Sequence, residues 1–158
     1  MRRLAVILVL ALGLGACSTN VAHKMDIPAD VKAGVNVAEI KTTSGADVLW
    51  GNDDSLAQAV REELAKRPKG EKVINLTLHV TKFAVQDGGL RFFIGALAGA
   101  NEMMVTVNAT DETGAVVANY VVERSANPGG YGAFYDQRAA TIRETAKGIV
   151  DALLGEDS

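Results

Sequence analysis

Apolar and polar residues alternate most regularly near the middle of the chain, between residues 72 and 86. Every second position there is apolar, as in a strand that buries one face and exposes the other. The apolar positions are Ile74, Leu76, Leu78 and Val80. The alternation then changes parity to Phe83 and Val85. This change predicts a bulge or a strand end near Lys82.

Two more alternating segments follow at residues 102–110 and 115–124, and a short polar turn ending in Gly114 separates them. A glycine at that position suits the positive φ of a bulged hairpin loop. The second segment is apolar on both faces, which indicates an interior strand. A weaker alternation over residues 31–38 predicts the first strand, and residues 41–51 are predicted to form a loop.

Two segments show the spacing of amphipathic helices. The first begins at Ser55, where Gln58 three positions later has the form of a capping box, and Pro68 follows its end. The second covers residues 135–154, with Gly155 as a plausible terminating residue. Its apolar stripe consists of Ile142, Ala146, Ile149, Val150, Leu153 and Leu154.

The order of these elements is strand, helix, three strands, helix (β-α-β-β-β-α). It predicts an α+β two-layer sandwich, with a mostly antiparallel sheet of about four strands and two helices on one face. The chain has 158 residues, of which 48% are apolar, so one domain with a sizeable core is expected over residues 31–158. This composition excludes a disordered chain and a disulfide scaffold.

The N-terminus has the pattern of an export signal. Arg2 and Arg3 precede residues 4–16, none of which has a polar side chain. A helix of that length spans about 20 Å, short of the roughly 30 Å hydrocarbon core, so the pattern favours a signal peptide over a membrane span. Leu14-Gly15-Ala16-Cys17 resembles the bacterial lipobox. The resemblance implies signal-peptidase recognition at Leu14, Gly15 and Ala16, removal of residues 1–16, and lipidation of Cys17.

The alternative is an ordinary signal peptide followed by an incidental cysteine. Cys17 is the only cysteine, so no intrachain disulfide can form. A free thiol would be a liability in an oxidising compartment, and lipidation removes it. Residues 17–30 are mostly polar and are predicted to form the lipidated cysteine and a flexible tether. Ser18, rather than Asp, follows Cys17, which in the Gram-negative sorting rule favours the outer membrane, with the domain facing the periplasm.

Catalytic and metal-binding motifs are missing from the sequence. The chain has two histidines, His23 and His79, and no HExxH, GxSxG, SxxK or phosphate-binding glycine loop. His79 is predicted to be a solvated strand residue. Asp53 and Asp54 are interpreted as complementing a helix dipole rather than binding a metal. We therefore predict no enzyme activity, no cofactor and no metal site. The net charge of −3 gives no electrostatic footprint for nucleic acid.

Two segments remain unexplained by the predicted fold. Residues 88–100 are rich in glycine, and the last nine carry no polar side chain. They form either a buried turn that closes the core or a contact with a partner, a second copy or the membrane. The second segment lies just before the last predicted helix and carries the aromatic residues Tyr131, Phe134 and Tyr135. It either packs at the start of that helix or forms a recognition loop. The candidate interface residues are Phe92, Phe93, Ile94, Leu97, Tyr131, Phe134 and Tyr135.

The layout as a whole resembles a known group of proteins. A lipobox, an early helix, a strand, a glycine-rich segment before the hairpin sequence VTVNATDETGAVV and a C-terminal amphipathic helix are similar to small uncharacterised Gram-negative outer-membrane lipoproteins of the YajG-like group. The resemblance implies an envelope lipoprotein without known enzyme activity, and it supplies no catalytic residues.

The expected function is a non-catalytic interaction or assembly-accessory module. It would be bound to the membrane through its lipid anchor and would contact an envelope protein or a second copy of itself. The alternative is a periplasmic lipoprotein that binds a small ligand, with the aromatic segment at the entrance. A hydrolase is disfavoured because no pair of nucleophile and base is visible.

Overall fold

The computed structural model describes residues 17–46, 48, 50, 54–85, 99–126 and 136–156. Within them the fold is α+β, as predicted. The elements in chain order are β1 (Cys17–His23), α1 (Ala29–Lys32), β2 (Val35–Ser44), α2 (Ser55–Leu64), β3 (Lys72–Ala84), β4 (Asn101–Asp111), β5 (Val116–Ala126) and α3 (Gln137–Leu154). None of these helices is long and apolar enough to cross a bilayer.

The strands form one sheet in the order β1-β5-β4-β3-β2. β2 and β3 run parallel, with α2 between them in sequence, and all other neighbours are antiparallel. The described sheet therefore has five strands and mixed direction, where the sequence predicted about four strands. The buried apolar residues that the structure describes form one cluster, to which the sheet, α2 and α3 contribute, and α2 and α3 contact each other as well as the sheet.

The extra strand, β1, lies in the segment predicted to be a tether. All seven of its residues pair with β5, from Cys17 opposite Ala126 to His23 opposite Tyr120. The sequence pattern missed it because β1 is an outer strand whose side chains at residues 18–20 are exposed. Without a buried face there is no regular apolar alternation to detect. Residues 17–30 therefore carry a strand and the first residues of α1.

The first predicted strand starts later in the structure than the sequence indicated. Val31, which was assigned to that strand, lies in the short helix α1 and is fully buried. Its backbone N–H donates to the Asp30 carboxylate. β2 starts only at Val35 and continues through Ser44, into the predicted loop. The apparent alternation over residues 31–38 thus combines the buried side of a helical turn with the start of a strand.

The central strands match their predictions. The register of β3 against β4 shifts between Val80 and Lys82, so the predicted bulge is confirmed. β5 lies between β1 and β4, which confirms it as an interior strand. Gly114 has φ +85°, as the predicted hairpin requires. The Asp111 carboxylate accepts hydrogen bonds from the backbone N–H of Thr113 and of Ala115.

The helices differ from prediction in the start of α3 and in the capping of α2. α3 starts at Gln137, two residues later than expected, because the Asp136 side chain accepts from the Ala139 N–H and caps it. The whole predicted stripe of α3 is buried, and Gly155 ends the helix with φ 69°. The capping box predicted at Ser55 does not form. The Gln58 amide instead donates to Glu62, one turn further along α2.

Candidate functional site

One end of the sheet brings together Cys17 and the flanks of both unexplained segments. Cys17 at the start of β1 pairs with Ala126 at the end of β5, and Ala126 pairs in turn with Asn101 at the start of β4. Ala84, the last residue of β3, pairs with Glu102. Neighbouring strands lie about 4.8 Å apart, so the backbones of Cys17 and Asn101 are about 10 Å apart. We call this region the Cys17 end.

Both candidate interface segments connect to the Cys17 end. The first leaves after β3 and returns at Gly99, two residues before β4. The second leaves after β5 and returns at Asp136, just before α3. The predicted contact residues themselves lie outside the described residues, as do the three residues that precede Cys17 in the predicted lipobox. These residues are Leu14, Gly15, Ala16, Phe92, Phe93, Ile94, Leu97, Tyr131, Phe134 and Tyr135.

A buried hydrogen bond joins the return points of the two segments. The Asn101 side-chain amide donates to the Gln137 side-chain oxygen at 2.6 Å, and both residues are buried. This bond ties the first residue of β4 to the first residue of α3. Leaving a buried amide without its partner costs about 1–3 kcal/mol. The bond therefore fixes where α3 begins relative to the sheet.

An aromatic cluster closes the core at the same end. The Trp50 and Phe83 rings lie 5.0 Å apart at 82°, an edge-to-face arrangement that their quadrupoles favour. The Arg138 guanidinium carbon lies 5.2 Å from the Trp50 centroid and 4.7 Å from the Phe83 centroid. Both distances are within the range of a cation–π interaction. The sequence interpretation missed this cluster, because Trp50 fell in a predicted loop and Arg138 in a helix chosen for its apolar stripe.

Charged residues are paired at both ends of the molecule. At the Cys17 end, Lys82 forms an ion pair with Glu102 across β3 and β4. The Glu102 hydrogen bond, and then its charge, raise the pKa of Lys82. At the opposite end Asp151 of α3 accepts from Arg67 at 2.6 Å and also binds Lys147. This pairing ties α3 to the chain just after α2, so its role is structural.

The two histidines are separated by β5 and β4 in the sheet and make separate contacts. His79 is partly exposed, and its Nδ1 lies 2.9 Å from the Thr43 hydroxyl on β2. The His23 ring contacts the Tyr120 ring with 5.6 Å between centroids. Among the residues that the structure describes, no three His, Cys, Asp or Glu side chains come together as they would around a metal ion.

Comparisons with known proteins place the chain in no family. No protein-family model matches it. No curated protein matches it either. Among solved structures, a PelC dodecamer from Paraburkholderia phytofirmans is similar, with 14% sequence identity and a TM-score of 0.49. The match covers 85% of this chain and 97% of the PelC chain.

Proposed function

We propose that the chain is an envelope lipoprotein of the outer membrane, held there through a lipidated Cys17. Its periplasmic domain would be a non-catalytic interaction or assembly-accessory module, as in the YajG-like group that the sequence resembles. The observation that carries this proposal is the place of the lipobox cysteine in the fold. Cys17 is the first residue of β1, at the end of the sheet where both unexplained segments begin and end.

The position of Cys17 fixes how an anchored domain would face the membrane. A tether of thirteen residues would reach about 45 Å and leave the domain free to turn. In the fold, β1 begins at Cys17 and is hydrogen-bonded to β5 along its whole length. Acyl chains on this cysteine would therefore hold the Cys17 end against the bilayer. The hairpin turn at Gly114 would point away, about 35 Å along the 11 residues of β4.

Membrane attachment would rest on the lipid rather than on charge. The net charge of the chain is −3, so a general attraction to anionic lipid is not expected. One acyl chain binds a membrane only marginally, whereas two or more hold a protein stably. The lipobox resemblance implies three acyl chains on the mature cysteine, which is enough for lasting attachment.

The two unexplained segments supply the contact surface in this proposal. Phe92, Phe93, Ile94 and Leu97 in the first, and Tyr131, Phe134 and Tyr135 in the second, connect to the end that would face the bilayer. Aromatic side chains are favoured both at membrane interfaces and in protein interfaces. Their partner is therefore the membrane surface, an envelope protein that lies on it, or a second copy of this chain.

Fractionation of the cell envelope tests the proposed location. Wild-type protein is expected in the outer-membrane fraction of a sucrose gradient. Ser18→Asp introduces the residue that retains lipoproteins in the inner membrane, so this variant is expected to move there. Ser18 is exposed on β1, so the substitution leaves the fold intact. Recovery of the wild type in a soluble periplasmic fraction would contradict the proposal.

A single charge in the first segment tests the contact surface. Phe93→Glu is expected to weaken self-association or membrane-proximal partner contact while the thermal midpoint changes little. Sedimentation velocity and circular dichroism of the full chain in detergent measure both quantities. A strong fall in midpoint, with the same association state before and after, would assign Phe93 to the core, since a buried unpaired carboxylate is costly.

A further inference from the structure

A charged side chain lies buried under α3, near the Cys17 end of the sheet. Arg124 of β5 is 8% exposed. Its register partners are Thr19 on β1 and Met103 on β4, and Met103 is itself fully buried. Moving a guanidinium out of water is costly unless an opposite charge and hydrogen-bond acceptors compensate it. A buried arginine in this position therefore requires a compensating anion and hydrogen-bond acceptors.

The protein itself compensates Arg124 only in part. The carboxylate that faces it belongs to Glu144, with 4.0 Å between Glu144 Oε2 and Arg124 Nη2. A charge-assisted hydrogen bond between such groups is about 2.8 Å long. The Glu144 side chain is 56% exposed, so solvent screens its charge. Within the described part of the chain, the buried Nε–H of Arg124 has no acceptor.

A polar cavity of about 250 Å³ adjoins the guanidinium. Besides Arg124 and Glu144, the polar residues that line it are Asn101, Gln137 and Thr141. All three are buried, so their polar groups are held in place by the surrounding fold. The cavity also adjoins the first turn of α3, where the helix dipole is positive. Its volume is that of about eight liquid water molecules, which is enough for a small solute that carries an anionic group.

We propose that this cavity binds the carboxylate or phosphate group of a small anionic solute, with Arg124 as its charged partner. The planar guanidinium presents two N–H groups in the spacing of carboxylate and phosphate oxygens. Asn101, Gln137 and Thr141 line the cavity around the bound group, and the Asn101 amide keeps its hydrogen bond to Gln137. Glu144, at the margin, competes with the anion for Arg124 and limits its affinity. The site does not depend on lipidation of Cys17.

Isothermal titration of the purified full chain in detergent tests the site, with sodium phosphate and sodium acetate as separate probes at matched ionic strength. One anion is expected to bind per chain. Arg124→Gln is expected to weaken binding about 10- to 100-fold, as for the loss of a charged hydrogen bond. Glu144→Gln removes the competing charge and is expected to tighten binding about two- to fivefold.

Arg143→Gln is the matched control. Arg143 precedes Glu144 on α3 but is exposed and lines a different groove, so its loss should leave the affinity unchanged. The probe that binds more tightly identifies the recognised group as carboxylate or phosphate. The proposal is overturned if the wild type binds neither probe, or if Arg124→Gln binds as well as the wild type.

A spectroscopic measurement keeps the proposal testable if Arg124→Gln does not fold. The side-chain Nε–Hε resonance of Arg124 is followed by NMR in the wild type and in Glu144→Gln. It is expected to shift on titration along a binding curve whose Kd agrees with the calorimetric Kd. The Kd should be lower in Glu144→Gln than in the wild type. A resonance that does not move while the anion binds elsewhere would overturn the proposal.

Discussion

Cys17 and Ala126 are register partners, so the first residue of β1 lies opposite the last residue of β5. This pairing makes Cys17 part of the sheet. It also brings Cys17 close to the start of the aromatic segment that follows Ala126. The position of an acyl anchor at this residue would thus be set by the same hydrogen bonds that hold β1 on the sheet.

Gly148 of α3 gives a direct test of where β1 lies. A Cβ at this position would meet Thr19 Cγ2 at 2.8 Å and Val122 Cγ1 at 3.2 Å. We expect Gly148→Ala to lower stability by about 1–3 kcal/mol through overpacking, as measured by urea melts of the full chain in detergent. Thr19→Ser in the same chain removes Cγ2 and is expected to recover much of the loss.

If residues 17–23 were a tether, Gly148→Ala would raise the stability of the protein instead of lowering it. Glycine in a helix interior is about 1 kcal/mol less favourable than alanine, so without Thr19 nearby Gly148→Ala would lose part of its clash and gain helix propensity. A stabilised Gly148→Ala variant that Thr19→Ser leaves unaffected would contradict the placement of β1.

Leu78 and His79 are neighbours on β3 that point to opposite faces of the sheet. Leu78 is fully buried, as the alternation predicted, whereas His79 is partly exposed beside Thr43. Leu78→Asp is expected to unfold the domain, because an unpaired buried carboxylate costs several kcal/mol. The free energy of unfolding of a typical protein is only about 5–15 kcal/mol. His79→Ala should change the free energy of unfolding by only about 0.5 kcal/mol. Equal losses in urea melts would contradict this assignment of faces.

Tyr120 links the sheet to α3 through its hydroxyl. The side chain is fully buried, and its O–H donates to the Ile149 carbonyl at 2.7 Å. We expect Tyr120→Phe to lower the free energy of unfolding by about 1 kcal/mol, since it removes one buried hydrogen bond and little volume. A denaturant melt with an unchanged slope and a lower midpoint is the expected result. An unchanged midpoint would mean that this bond contributes nothing.

Asp111 makes the hairpin sensitive to acid. The Thr113 side-chain hydrogen bond is the largest of the contacts that lower the pKa of Asp111, and the backbone N–H groups of Ala115 and Thr113 add to it. A lowered folded-state pKa means that this stabilisation is present above the unfolded-state pKa of about 3.9 and is lost as the pH falls through the folded value.

Asp111→Asn removes the ionised carboxylate, so comparing its thermal midpoint with that of the wild type tests this pH dependence. The wild type should have the higher thermal midpoint at pH 7, and the difference should shrink as the pH is lowered below about 4. Glu112→Gln removes a neighbouring charge in the same turn and serves as the control. A difference between wild type and Asp111→Asn that is constant with pH would contradict the role of the ionised carboxylate.

The elements predicted from sequence are those with a buried face. β3 and α3 each carry a regular apolar pattern, so their inward positions could be predicted, with bounds correct to within two residues and a bulge near Lys82. β1 carries no such pattern, because it is an outer strand with few buried side chains. Val31 shows the opposite error: it is buried, but by a helical turn too short to display a helical period.

The candidate sites were predictable only where they depend on local sequence. The Leu14-Gly15-Ala16-Cys17 sequence is a local pattern, so lipidation of Cys17 could be predicted without a structure. Arg124 could not, because a lone arginine near the end of an apolar strand gives no sign that it is buried. Its neighbours in the cavity come from β4 and α3, and only the folded chain brings them together.

Acyl labelling shows directly whether Cys17 is lipidated. Cells that express the wild type or Cys17→Ser are grown with radiolabelled palmitate, with and without globomycin, which inhibits signal peptidase II. We expect label on the wild type, none on Cys17→Ser, and accumulation of a larger precursor when globomycin is present. A wild-type protein that takes up no palmitate and whose size globomycin does not change would contradict lipidation of Cys17.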